Sequence, residues 1–252
     1  MIKKLGGMVC LLTSASGVMA HDHSPQTVTY TSAPVTIDGM ASEAAWGNAQ
    51  WHSLDKLMVG NMPEKHDFSG RYKLLWDENY LYLQAEIVDD VLIDNHPDPT
   101  KAYWDDDCLE VFIDEDASGG NHLESYNAFA YHIALDGNVA DIGDKENDKG
   151  GVVLLNNHVA SRWTRAETSP FTITWEVAIK LYPDTFTLNS PGEPIALTAG
   201  KIIGFMLAYC DNDGSETREH FVGSHEITPV NGDKNRGYID ASVFGKIKLI
   251  KQ

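Results

Sequence analysis

Tyr80-Leu81-Tyr82-Leu83-Gln84-Ala85-Glu86-Ile87-Val88 decides the architecture. Leu81, Leu83, Ala85 and Ile87 fall on every second position, so an extended chain puts them on one face, whereas a helix would scatter them. The same period governs Cys108-Leu109-Glu110-Val111-Phe112-Ile113-Asp114, where Leu109, Val111 and Ile113 share a face. It recurs in Phe171, Ile173, Trp175, Val177 and Ile179, set against Thr172, Thr174 and Glu176. Ile202 to Tyr209 is apolar on both faces, as a central strand should be. Lys246-Ile247-Lys248-Leu249 reads as an edge-like strand whose lysines discourage pairing with another sheet.

Turn-forming clusters separate these runs: Asp116 to Gly120, Asp136-Gly137-Asn138, Asn189 to Pro194, Asp211 to Gly214 and Asn231 to Gly237. Near the start, Val35-Thr36-Ile37 reads as a short strand entering the Asp38-Gly39 turn. Ala41 to Ala49 reads as one short helix with Trp46 on its buried side. Neither an internal repeat nor a low-complexity linker interrupts the chain. The pattern predicts an all-β protein: a two-sheet antiparallel β-sandwich, jelly-roll-like, with one short N-terminal helix. A single domain is expected over 35–252, preceded by a flexible N-terminal segment over 21–34.

Residues 1–20 read as an export signal. Lys3 and Lys4 give a positive start, Leu5 to Leu12 an apolar run too short to span a bilayer, and Val18-Met19-Ala20 a small-residue cleavage site. A periplasmic or secreted location follows as an expectation. The formal net charge is −18, and loss of Lys3 and Lys4 takes it to about −20. Such a field repels phosphates, which argues against nucleic acid and anionic lipid as partners and favours neutral ligands and hard cations. Beyond Cys10, Cys108 and Cys210 remain. They form a bridge if their strands are neighbours with facing side chains, and otherwise stay as two buried thiols.

Four segments, in order, resemble the family 9 carbohydrate-binding module. They are Ile37-Asp38-Gly39 with Ala45-Trp46; Leu74-Leu75-Trp76-Asp77-Glu78-Asn79-Tyr80-Leu81-Tyr82; Trp104-Asp105-Asp106-Asp107 running into Glu110-Val111-Phe112-Ile113-Asp114; and Ile203-Gly204-Phe205 with Tyr209 to Asp213, followed by Phe244-Gly245-Lys246. The resemblance spans about residues 35 to 250. It implies a sugar held between two aromatic rings at the rim of a β-sandwich, with polar side chains on its hydroxyls, often at the reducing end of a xylan or cellulose chain. Carried onto this sequence, one ring is Trp104, the acidic partner is Glu110, and the second ring is Tyr238, where the family usually has Trp. An Arg often found on the strand after the acidic one is missing between Tyr126 and Ile133; Asn127 and His132 are the nearest polar substitutes.

Physical chemistry points to the same residues. A pyranose has apolar C–H faces and a hydroxyl rim, so it needs a flat aromatic surface plus in-plane donors and acceptors. Trp104 and Glu110 are an even number of residues apart. In a strand starting as early as Trp104, both project from the face opposite Leu109, Val111 and Ile113. Trp76 and Trp175 follow core rows and read as packing.

Acidic clusters at strand ends offer oxygen ligands, and the resemblance implies structural calcium at comparable loops. Asp89, Asp90, Asp211 and Asp213 are the candidate ligands, with solvated turns as the alternative. Two rival functions remain. A haem-binding electron-transfer domain would need axial ligands such as Met58, Met62 or Met206 facing an apolar slot. A glycoside hydrolase would need two carboxyl groups at a defined separation, but the sequence carries no Gly-x-Ser-x-Gly or His-Glu-x-x-His motif. His21-Asp22-His23 would suit Cu(II) if cleavage exposes it as a new terminus. The expected role is non-catalytic binding of a xylan- or cellulose-type sugar, in company with a glycoside hydrolase or in sugar capture.

Overall fold

The computed structural model describes residues 24–251, so the export signal and His21-Asp22-His23 lie outside the described residues. The chain forms β1 (Gln26–Tyr30), β2 (His52–Leu54), β3 (Lys56–Val59), β4 (Phe68–Trp76), β5 (Leu81–Asp89), β6 (Cys108–Asp114) and β7 (Phe129–Ala134). There follow β8 (Val139–Ile142), β9 (Val152–Leu154), β10 (Val159–Arg165), β11 (Ile173–Ile179), β12 (Ile202–Asp211), β13 (His220–Gly223) and β14 (Gly245–Ile250). Hydrogen bonding runs continuously through β10-β11-β5-β4-β1-β14-β12-β6-β7-β8-β9, with β2 on β4 and β13 bridging β12 to β3.

This ladder doubles back on itself as a sandwich. Strands β4 and β12 are not hydrogen-bonded neighbours, yet Phe68 stacks on Tyr209 at 5.5 Å and Tyr72 packs on Phe205 at 5.7 Å. The core between the layers is built from the alternating rows legible in the sequence: Leu81, Leu83, Ala85 and Ile87 from β5, Leu109, Val111 and Ile113 from β6, and Ile173, Trp175, Val177 and Ile179 from β11. Trp76 and Trp175 are fully buried as core residues. Each buried large side chain of this kind contributes about 1.5–3 kcal/mol. Their indole N–H groups stay satisfied: Trp175 donates to Ser161 Oγ, and Trp76 is shared between the carbonyls of Val28 and Ile250.

Four local expectations are corrected. Part of the segment expected to be flexible is β1, a parallel strand between β14 and β4 with Val28 buried, so the sheet is mixed rather than purely antiparallel. The Thr and Val of Gln26-Thr27-Val28-Thr29-Tyr30 suit a pleated surface, and Val28 supplies a core contact that its polar neighbours mask. Val35 to Ile37 is not a strand, and the expected helix is one 3-10 turn, Ala44–Asn48. Buried Trp46 anchors it, donating from Nε1 to Glu176, so tertiary contact rather than helix propensity sets its shape. Finally, β14 lies inside the sheet; Lys246 and Lys248 face solvent from its surface and guard no edge.

One further layer positions the site. The even residues of β6, Cys108 and Phe112, face away from the sandwich core. With Met206, Ala208 and Cys210 of β12 they form a second apolar cluster, closed over by Ile227, Ala241 and Phe244. β6 is therefore buried on both faces.

Candidate functional site

A cavity of about 370 Å³ opens on this outer face of β6–β7–β8. Its buried floor is Glu110 of β6 and His132 of β7, which are register partners, with Oε2 of Glu110 3.2 Å from Nε2 of His132. Asp141 and Ile142 of β8 form one wall, and Tyr103, Trp104, Arg218, Asn235 and Tyr238 reach in from loops. The volume falls within the ~300–1,000 Å³ of small-ligand sites.

The rings are placed by specific contacts. Trp104 keeps 41% of its surface exposed, and its ring meets Tyr103 edge-on at 5.0 Å; Tyr103 in turn meets His132 edge-on at 4.7 Å. The loop that carries them is fastened by the three aspartates after Trp104. Asp106 accepts from the backbone N–H groups of Asn95 and His96, and Asp107 from those of Ile93 and Asn212. Asp105 accepts from the backbone N–H of Arg218, which brings that guanidinium to the cavity. Tyr238 is half-buried against the second apolar cluster. Gly237 lets this segment approach closely, because a Cβ there would come within 2.6 Å of Phe112 and 2.7 Å of Met206.

The electrostatics pair acids with bases. Burial pulls the His132 imidazole down, but the charge and hydrogen bond of Glu110 outweigh it and the net direction is up. Burial pushes Asp141 up to about 7, although the N–H groups of Ile142 and Ala130 both donate to it and pull the other way. Burial opposes the Arg218 charge, but neighbouring Cys210 and Glu110 prevail and hold it above its ordinary range. Exposed aromatic faces over a floor of fixed donors and acceptors suit a ring with apolar faces and a hydroxyl edge.

Four of the five side chains picked from the sequence, Trp104, Glu110, His132 and Tyr238, line this one cavity. Asn127 does not. It lies before β7 begins, beyond the far end of the β6–β7 ladder, and its amide donates to the carbonyl of Gly119. Trp104 itself precedes β6 on a turn rather than continuing the strand, so parity alone does not place it. The cavity sits on a sheet face roofed by loops. Sequence reasoning missed Tyr103, Asp141, Asn235 and Arg218. The cation sought between Tyr126 and Ile133 comes instead from Arg218, two residues before β13, a strand too short to show a period.

The candidate calcium ligands also converge. Asp89, Asp107 and Asp211, all buried, place carboxylate oxygens within 4.8 Å of one another; Asp67, Asp90 and Asp213 form an adjoining set. Asp67 and Asp107 are thus additions to the four residues read from the sequence. Oδ1 of Asp89 and Oδ2 of Asp211 are buried without a hydrogen-bond partner. Burial first, and then mutual repulsion, push Asp107 up to about 9 and Asp211 up to about 8. Orphaned, crowded carboxylates of this kind fit a hard cation. The methionines do not fit a haem: Met62 is exposed, while Met58 and Met206 are packed into the second apolar cluster.

Fold and cavity together define a β-sandwich ligand-binding module. Residues 37–252 match the model of the carbohydrate family 9 binding domain-like family, and the chain belongs to that family. Over 217 residues it is 26% identical to endo-1,4-beta-xylanase A of Thermotoga maritima, and over 219 residues 26% identical to endo-1,4-beta-xylanase C of Paenibacillus barcinonensis. The matches cover 85% and 86% of this chain but only 17% and 16% of those enzymes. Among solved structures, the family 9 carbohydrate-binding module of Caldicellulosiruptor kristjanssonii in complex with cellotriose superposes with TM-score 0.63 at 19% identity, covering 91% of this chain and 95% of that one. Its complex with glucose gives TM-score 0.64 at 19% identity, covering 91% and 97%.

Proposed function

We propose that the protein binds a gluco- or xylo-configured oligosaccharide in the Trp104–Tyr238 cavity and does no chemistry on it. The observation that carries this reading is the convergence of both rings with Glu110, His132 and Arg218 on one cavity. The apolar sugar face lies against the rings, and the carboxylate and the cations take its hydroxyls. Both oxygens of Asp141 already accept backbone N–H groups, and Glu110 is turned to His132, an arrangement that favours holding a ligand over passing it a proton. The solved relatives hold cellotriose and glucose, and the xylanase relatives match over this module alone, which supports the same sugar class and a role beside a glycoside hydrolase.

Export to the periplasm or outside rests on Lys3, Lys4 and the apolar run behind them. Calcium at Asp89, Asp107 and Asp211 would stiffen the β5 and β12 ends and the loop bearing Trp104. Titration calorimetry with glucose, cello- and xylo-oligosaccharides tests the main reading. Trp104→Ala is expected to abolish binding while leaving thermal stability nearly unchanged. Unaltered affinity in that variant rejects the site, and sugar release from xylan or cellulose by the purified protein rejects the non-catalytic role.

A further inference from the structure

Beside the cavity floor, on the same outer face as Glu110, Cys108 and Cys210 stand directly opposite each other on β6 and β12, both fully buried and both free. His132, diagonal to Cys108 across the β6–β7 ladder, brings an imidazole nitrogen to the same place: the two sulfurs and that nitrogen all lie within 4.8 Å of one another. We propose that Cys108, Cys210 and His132 are a binding site for a thiolate-seeking metal ion of the Zn2+ class.

The geometry is near what such an ion requires. Metal–sulfur and metal–nitrogen bonds of about 2.3 and 2.0 Å in a tetrahedron set ligand–ligand edges of about 3.3–3.8 Å, so small rotamer adjustments close the present spacing. Glu110, 3.2 Å from His132 Nε2, supplies the carboxylate that orients a ligating imidazole or fills the fourth position. Charge balances as well. Binding releases two thiol protons, and two thiolates with the Glu110 carboxylate offset the dication and the Arg218 guanidinium. That guanidinium already sits 3.1 Å from Cys210 Sγ, where it steadies a thiolate. A neutral total matters in a site stripped of water. Ligands of this softness distinguish the site from the all-oxygen aspartate cluster. The cysteines are not part of the cavity lining, whereas His132 and Glu110 are shared with it, so a readout of sulfur ligation separates this site from sugar binding.

Cobalt reports the site directly, since only thiolate ligation gives intense sulfur-to-cobalt charge-transfer absorption. Titrating reduced, metal-free protein with Co2+ is expected to produce that absorption with tetrahedral visible bands at one equivalent, to release protons, and to lose the bands when Zn2+ is added. Cys108→Ser and Cys210→Ser, each checked for retained fold by circular dichroism, are expected to weaken Co2+ binding about 100-fold or more, beyond the loss typical of outer-shell changes. Absence of the charge-transfer band in folded wild-type protein overturns the proposal. So does a disulfide between the two cysteines in protein isolated without reductant.

Discussion

Glu110 and His132 face each other across the β6–β7 ladder with Oε2 and Nε2 3.2 Å apart, two polar side chains set among the apolar Cys108, Phe112, Ala130, Met206, Ala208 and Cys210. Each fixes the direction of the other, so a ligand meets a preset pair of hydrogen-bonding groups. Glu110→Gln keeps the shape and removes the charge. Loss of one charge-assisted hydrogen bond corresponds to about 1.5–3 kcal/mol, or roughly 10- to 150-fold weaker sugar binding. Calorimetry on cello-oligosaccharides checks this, and unchanged affinity would show that Glu110 does not touch the ligand.

Calcium should raise thermal stability. With free calcium at 100 times its dissociation constant, linkage gives about 2.7 kcal/mol, which for a domain of this size is roughly a 5–10 °C rise in Tm. Chelation is expected to reverse it. Asp211→Asn, which removes an oxygen charge from the buried triad, should leave the variant insensitive to both calcium and chelator in differential scanning calorimetry. An equal calcium response in the variant would move the ion elsewhere.

Buried Glu176 accepts from Trp46 Nε1 at 3.1 Å and from the backbone N–H groups of Gly39 and Asp38 at 2.9 and 3.3 Å, tying the Asp38–Asn48 segment to β11. Glu176→Ala orphans these donors at about 1–3 kcal/mol for each one left buried and unpaired. Urea unfolding should show a clear loss of stability. Sugar affinity should be retained, because the cavity lies on the other layer of the sandwich.

Acid should weaken the fold through His158. This side chain is buried, stacked on Tyr182 at 4.0 Å, with Nδ1 2.9 Å from the Tyr131 hydroxyl. Burial first, with Lys180 adding, pulls its pKa from 6.5 down to about 4. The unfolded chain therefore takes the proton more readily. The stabilisation is complete above pH 6.5, falls as pH drops toward 4, and is level below that, a change on the order of 3 kcal/mol. In Tm measurements across that window, His158→Asn should give a flatter profile than the parent; parallel profiles would remove His158 as the cause.

The strand rows were legible in the sequence because alternation is a local property: Leu81 to Ile87 and Leu109 to Ile113 face the core whatever partners they find. Trp104, Glu110, His132 and Tyr238 were legible as ring and polar types carried by ordered motifs. The rest depended on partners distant in the chain. β1 is a strand because β14 and β4 flank it, and Asn127 turns to Gly119 because the β6–β7 hairpin ends there. Arg218 and Asp141 reach the cavity only after loops and a late strand fold over β6. Cys108 meets Cys210 by the register of β6 on β12. Sequence by itself determined which residues are buried in rows and which chemical types are on hand, since both follow from period and composition. Tertiary structure alone decided which of them share one cavity, because side chains as far apart in the chain as Tyr103 and Tyr238 converge only when the sheet closes.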